Sequence, residues 1–124
     1  PGESVYCGGP LGRVPPHWRV DVDGTMHQLA WDAPPPPGPE GVPIVPLGAE
    51  HVDRMLDLVA RTKPGPFGPR TIELGDYVGV LDGDTLLAMA GERMRAGTWR
   101  EISGVCTEPA AQGRGLAKAL MHVL

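Results

Sequence analysis

Apolar and polar positions follow a helical period most clearly over residues 49–62. The apolar side chains there repeat at i, i+3, i+4 and i+7, which places them on one face of a helix. They are Val52, Met55, Leu56 and Val59. Acidic residues near the start and basic residues near the end suit the helix dipole, and Pro64 ends the helix. The preceding apolar run, residues 42–47, is interrupted by prolines and therefore predicts an edge strand.

Residues 77–107 show a different pattern, in which apolar runs are separated by turn residues. Asp82-Gly83-Asp84 divides two of these runs, and Asp-Gly in that position is a strong hairpin signal. The pattern predicts an antiparallel meander with strands at residues 77–81, 85–95 and 99–107. A loop over residues 108–114 and an amphipathic helix over residues 115–124 follow.

The first third of the chain is organised differently, because 14 of the 15 prolines precede Thr71. Two apolar runs, residues 18–22 and 25–29, flank Asp23-Gly24 and predict a β-hairpin. A proline run follows, which favours an extended connector. We therefore expect three segments: an N-terminal accessory segment with a hairpin at 1–33, a Pro-rich linker at 34–41, and one domain at 42–124.

Composition narrows the class of protein. A formal net charge of -4 and a pI near 5.5 argue against nucleic-acid binding, which needs a basic surface. No run of 18 apolar residues is present, so no membrane segment is expected. Two distant cysteines predict free thiols in a reducing cytoplasm, with Cys106 as a buried apolar residue. The histidines show no metal-ligand spacing, so no metal is expected.

The loop at 108–114 has the features of a phosphate site. It joins a strand to a helix whose first N–H groups lack partners and whose dipole is positive. Gly113 and Gly115 let a pyrophosphate approach the backbone, and Arg114 adds charge. The dinucleotide fingerprint does not fit, because Lys118 stands where its third glycine belongs. The Gly-Lys-Ser/Thr sequence of a P-loop is also absent.

Gln112-Gly113-Arg114-Gly115-Leu116-Ala117 matches the motif Gln/Arg-x-x-Gly-x-Gly/Ala of the GNAT acetyltransferases at every defined position. The segment 101–109 resembles the strand that precedes that motif, and the resemblance extends over about residues 42–124. The chain is most similar to the branch of glycine N-acyltransferase C-terminal domains. The resemblance implies an α/β (α+β) GNAT fold, with a mixed, mostly antiparallel sheet flanked by helices.

The same resemblance implies acetyl-CoA as the co-substrate and an amine of unknown identity as the acceptor. The backbone of the motif would hold the pyrophosphate, and the end of the preceding strand would pair with the pantetheine. A backbone N–H near Val105 would polarise the thioester carbonyl. The implied cofactor-binding residues are Val105, Cys106, Thr107, Gln112, Gly113, Arg114, Gly115, Leu116 and Ala117.

An attacking amine must lose a proton, and Glu101 is the candidate general base. It lies eleven residues before Gln112, a spacing at which some members of this family carry a basic glutamate. Strand alternation predicts that Glu101, Ser103, Val105 and Thr107 share one face. A solvated strand glutamate is the alternative interpretation, and Glu92 is a second candidate base.

The GNAT fold continues with further strands and helices beyond the last predicted helix. We therefore expect a chain that lacks the C-terminal half of the fold, completed by a missing segment, a homodimer partner or a second chain. Two functions remain open: direct acetyl transfer from acetyl-CoA to a primary amine, and a non-catalytic acyl-CoA-binding sensor or scaffold. Turnover of acetyl-CoA with an amine distinguishes them.

Overall fold

The computed structural model describes residues 5, 7, 12–25, 27–34 and 37–124. The chain divides into two compact units, Pro1–Asp32 and Ala33–Leu124. The predicted hairpin is wrong for the described part of the first unit, because residues 18–22, Thr25 and residues 27–29 lie in no strand. Met26 of the hairpin and residues 35–36 of the predicted linker lie outside the described residues. An isolated two-stranded hairpin is marginal in water without a third strand or a helix to pack on.

The second unit contains the predicted order of strands and helices. Its strands are β1 (Ile44–Leu47), β2 (Tyr77–Asp82), β3 (Thr85–Ala96) and β4 (Trp99–Thr107). Its helices are α1 (Val52–Thr62) and α2 (Leu116–Val123). Three short 3-10 turns precede α1, β2 and α2, at Ala49–His51, Thr71–Leu74 and Pro109–Ala111. No helix in the described ranges is long and apolar enough to cross a bilayer.

The four strands form one antiparallel sheet in the order β1-β2-β3-β4, which confirms the predicted meander and the position of β1 at an edge. Each face of the sheet carries one helix. On one face, Met55 and Leu58 of α1 are fully buried with Met89 of β3. On the other, Leu116 and Leu120 of α2 pack on small alanines of the same strand. We call these the α1 face and the α2 face.

A β-bulge interrupts the pairing of β3 with β4. Met89 pairs with Cys106 and Gly91 with Ser103, so Ala90 alone stands opposite both Gly104 and Val105. Gly104 has a φ of +63°, in the left-handed region that glycine adopts readily. An extra residue of this kind bends the strand and disrupts the ladder.

The bulge overturns the prediction that Glu101, Ser103, Val105 and Thr107 share one face. Ser103 lies opposite Gly91, over which the Tyr77 ring of the α1-face core packs. Val105 packs in the α2-face core instead. The strict period of two holds only in an uninterrupted strand, and the inserted residue reverses the alternation from Val105 onward.

Candidate functional site

A cavity of about 560 Å³ opens where β4 ends and α2 begins. Its volume is within the range of pockets that hold small molecules and cofactors. Three segments line it: the last residues of β4, the loop with the first turn of α2, and the C-terminal end of α1. The lining residues are Thr62, Pro64, Val105, Cys106, Thr107, Ala111, Gln112, Gly113, Gly115, Leu116, Ala117 and Lys118.

The loop backbone leaves the start of α2 open. Gly113 and Gly115 have φ values of +78° and +74°, and Gly115 is the N-cap of α2. Glycine cannot cap the helix with a side chain, so the first N–H groups face outward with the positive end of the dipole. An added Cβ at Gly113 would meet nothing within 4 Å, so backbone conformation rather than space requires glycine there. This arrangement suits a bound phosphate.

The structure brings eight of the nine predicted cofactor-binding residues together around this cavity. Arg114 is the exception, since it is exposed and does not line the cavity. Lys118, one turn into α2, is the lining cation. In the sequence Lys118 argues against a dinucleotide fingerprint, and its position three residues after Gly115 is also the signal that identifies it as a cation near the loop.

Thr62 and Pro64 also line the cavity, and sequence reasoning missed them. They lie at the end of α1, more than forty residues before the loop. An ion pair between Arg61 Nε and Glu108 Oε2, at 2.8 Å, joins this end of α1 to the start of the loop. The Glu108 N–H also donates to the Leu87 carbonyl at 2.7 Å. No local sequence pattern predicts such contacts, because they form only when α1 packs on the sheet.

Cys106 is buried, as predicted, and is one of the residues that line the cavity. Burial raises the pKa of its thiol, and hydrogen bonds with the Thr62 side chain and the Met89 backbone oppose that rise in part. A neutral thiol is a poor nucleophile. The buried, neutral thiol agrees with a packing role for Cys106. It gives no support to a mechanism in which the Cys106 thiol carries the acyl group as a covalent intermediate.

Glu101 lies outside the cavity lining, on the α1-face side of the bulge. Its carboxylate is paired with the Arg93 guanidinium, and both side chains are about one third exposed. Oε2 of Glu101 is buried with no hydrogen-bond partner among the described residues. The structure therefore presents Glu101 as a held, half-buried carboxylate rather than a freely solvated one.

Glu92, the second candidate base, is 3% exposed and lies between two arginines. Its Oε2 accepts from Arg95 Nε at 2.7 Å and from Arg100 Nη1 at 3.2 Å. Its Oε1 accepts from Arg100 Nη1 at 3.3 Å. Both oxygens are engaged, so the geometry of Glu92 fits a structural ion pair better than proton transfer.

The described residues contain no cluster of three or more histidine, cysteine, aspartate or glutamate side chains that could hold a metal ion. The groups that the cavity presents to a ligand include backbone N–H groups at the start of α2, the positive end of the α2 dipole and Lys118.

Comparison with known proteins places the chain in a family. The model of the acetyltransferase (GNAT) family matches residues 25–124, and the chain belongs to that family. A solved structure from Novosphingobium aromaticivorans DSM 12444, described as a candidate acetyltransferase from the GNAT family, is 43% identical with a TM-score of 0.64. The match covers 73% of this chain and 40% of that one.

A second solved structure shares the fold at lower identity. It is a conserved protein from Enterococcus faecalis V583 described as a candidate N-acyltransferase, with 19% identity and a TM-score of 0.50. The match covers 64% of this chain and 24% of that one. The chain thus spans less than half the length of either protein. No curated protein matches it. These matches confirm the GNAT family and fold, whereas the glycine N-acyltransferase branch stays a prediction.

Proposed function

We propose that the protein transfers an acetyl group from acetyl-CoA to a primary amine. The observation that carries this proposal is the cavity at the junction of β4 and α2, where uncapped helix N–H groups, two positive-φ glycines and Lys118 meet the end of a strand. A pyrophosphate carries negative charge and many acceptor oxygens, which these groups complement. Membership of the GNAT family supports an acyl-CoA as the ligand.

The end of β4 suits the pantetheine arm. In the described residues β4 pairs only with β3, so its other edge leaves backbone N–H and C=O groups free to pair with an extended amide chain. The bulge at Gly104 releases the backbone next to Val105 from regular pairing. The Val105 N–H is the donor that would stabilise negative charge on the thioester oxygen.

The reaction balances without a covalent enzyme intermediate. The neutral amine attacks the thioester carbonyl, a C–N bond forms and the C–S bond breaks. The amine loses one proton to a base, for which Glu101 is the candidate, and the CoA thiolate takes up one proton. The proposed pyrophosphate segment consists of Gln112, Gly113, Arg114, Gly115, Leu116 and Ala117. The proposed pantetheine segment consists of Val105, Cys106 and Thr107.

A second function is favoured by one observation: Glu101 is paired with Arg93 and does not line the cavity. A carboxylate tied in this way fits a domain that binds acyl-CoA as a sensor or scaffold without catalysis. The two functions share the same cofactor site and differ in whether an added amine releases free CoA thiol.

Calorimetric titration with acetyl-CoA tests the shared site. Gly113→Glu places a carboxylate in the loop and should weaken acetyl-CoA binding by about tenfold or more, because like charges repel at short range. Gly83→Glu is the matched control, since Gly83 has a φ of +55° and, like Gly113, nothing within 4 Å of an added Cβ. Equal weakening in both variants, or no binding to the folded wild type, would contradict the site.

A panel of small amines, amino acids and peptides, scored by CoA thiol release, then separates the two functions. Amine-dependent release supports the transferase. Tight binding of acetyl-CoA supports the sensor function if none of the amines causes release of the CoA thiol.

A further inference from the structure

We propose that Lys63, at the C-terminal end of α1, binds a phosphate group of the acyl-CoA from the α1 side of the cavity. The inference rests on the proposed cofactor site and adds to it a residue that lies outside the sequence motif. It is carried by three observations: the distribution of unpaired cations, the direction of the α1 dipole and the backbone conformation of Lys63.

Cations without an ion-pair partner are concentrated around the cavity. The chain has 11 lysines and arginines. Seven of them pair with carboxylates of the described residues, namely Arg19, Arg54, Arg61, Arg70, Arg93, Arg95 and Arg100. Of the other four, one belongs to the first unit, Lys118 lines the cavity and Arg114 lies in its loop. The last is Lys63, which stands between the lining residues Thr62 and Pro64. Their charges together favour an anionic ligand at this place.

The end of α1 is fixed against the cavity by two contacts. Arg61 pairs with Glu108 at the start of the loop, with 2.8 Å between Nε and Oε2. The Thr62 side chain is hydrogen-bonded to the Cys106 thiol at the end of β4. Lys63 follows directly and is exposed, so its ammonium stays hydrated at the surface. Its flexible four-carbon stem lets the ammonium turn towards a phosphate bound in the cavity.

The dipole of α1 calls for a cation at this point. The C-terminal end of a helix carries partial negative charge on its unpaired carbonyl groups, which repels a nearby anion. Because Thr62 and Pro64 line the cavity, a phosphate bound there lies close to that end of α1. Glu108 adds a carboxylate, but Arg61 neutralises it. Lys63 is then the charge that offsets the end of α1 and attracts the phosphate.

Lys63 also has a backbone conformation that lysine does not favour. Its φ of +49° and ψ of +54° are left-handed, and it is the one non-glycine residue with a positive φ in the described part of the chain. Its N–H donates to the Val59 carbonyl at 2.8 Å, in a helix ending that glycine usually makes. Pro64 adds a second restriction, since a residue before proline prefers extended backbone. A strained residue beside a binding cavity indicates a function for its side chain.

Calorimetric titration of the full chain with acetyl-CoA tests the proposal on three variants. Lys63→Met removes the charge and should weaken binding by about tenfold, the loss expected for one hydrogen bond to a charged group. Lys63→Arg restores the charge and should recover most of the affinity. Lys63→Gly should weaken binding as Lys63→Met does. It should also raise the midpoint of thermal unfolding by about 2–4 °C, because glycine adopts the left-handed backbone freely.

The same titrations with 3′-dephospho-acetyl-CoA identify which phosphate Lys63 binds. An equal loss with both ligands in Lys63→Met supports the proposal and assigns the lysine to the diphosphate bridge. A loss seen with acetyl-CoA alone also supports it and assigns the lysine to the 3′-phosphate.

Arg54→Met is the matched control. It removes the same charge from the first turn of α1, where Arg54 pairs with the exposed Asp84, and should leave acetyl-CoA binding unchanged. Unchanged affinity in Lys63→Met, or an equal loss in Lys63→Met and Arg54→Met, overturns the role of Lys63. The proposed cofactor site still stands in that case if Gly113→Glu weakens binding. A folded wild type that binds no acetyl-CoA overturns the site and this inference together.

Discussion

The side chain of Tyr77 combines a well-packed ring with a buried hydroxyl that lacks a hydrogen-bond partner among the described residues. Its ring lies over Gly91 and contacts Phe67 edge-on, with ring centroids 5.7 Å apart. Its hydroxyl is buried without a partner among the described residues. Ring burial stabilises the fold by about 2 kcal/mol, whereas an unsatisfied hydroxyl costs about 1–3 kcal/mol. Removing the hydroxyl alone should therefore stabilise the fold, because it removes this cost and keeps the contribution of the ring.

Tyr77→Phe is therefore expected to raise the free energy of unfolding by about 1 kcal/mol, measured by urea denaturation monitored by circular dichroism. Tyr77→Leu is the control, and it should destabilise because it removes the edge-on contact with Phe67 as well. A clear loss of stability in Tyr77→Phe would mean that the hydroxyl has a partner, such as an ordered water.

At the scale of elements, two glycines in the β3–β4 region are required for different physical reasons. An added Cβ at Gly91 would lie 2.2–2.4 Å from three atoms of the Tyr77 ring, a direct overlap. An added Cβ at Gly104 would meet its nearest atom at an ordinary 3.5 Å, but Gly104 has a φ of +63°. Gly91 is needed for space and Gly104 for backbone conformation.

Gly91→Ala should cost about 3 kcal/mol of stability because of overpacking, and Gly104→Ala about 1–2 kcal/mol because of the left-handed backbone. Combining each with Tyr77→Leu separates the causes. The shorter side chain should recover much of the Gly91→Ala loss, and none of the Gly104→Ala loss, in thermal and urea unfolding. Equal recovery in both pairs would show that the Gly104 effect is also steric.

At the scale of the whole molecule, the sheet has a core on each face, and the α1-face core buries two groups that ionise at high pH. Burial raises the pKa of both Cys106 and Tyr77 above their ordinary values. In the folded state each group therefore keeps its proton at a pH where the unfolded chain has begun to lose it. Their contribution to stability is complete below the unfolded pKa and is lost as pH rises through the folded one.

The free energy of unfolding should thus fall as pH rises above about 8.5, where an unfolded thiol ionises, and fall further above about 10, where an unfolded phenol does. Urea titrations at pH 7.5, 9 and 10.5 measure the slope. The double variant Cys106→Ala/Tyr77→Phe lacks both groups and should show a shallower slope. An identical slope in that variant would assign the alkaline loss to other groups.

The elements of the second unit could be predicted because each depends on local sequence. The period of Val52, Met55 and Val59 predicts α1, and Asp82-Gly83 predicts the β2–β3 hairpin, since turn chemistry and amphipathic spacing act over a few residues. The prediction of an N-terminal hairpin was wrong for the described residues, because a local turn signal does not by itself stabilise two strands. Asp23-Gly24 is compatible with a turn, but in the described residues its flanking runs lie in no strand.

The candidate site divides in the same way between sequence and tertiary structure. The sequence by itself determined the glycine loop, the helix that follows it and eight of the residues that line the cavity, because these are adjacent along the chain. Only the tertiary structure decided that Thr62 and Pro64 line the cavity, that Arg93 pairs with Glu101, and that Ser103 and Val105 face opposite sides. These depend on helix docking and on single-residue insertions in paired strands, which no local pattern encodes.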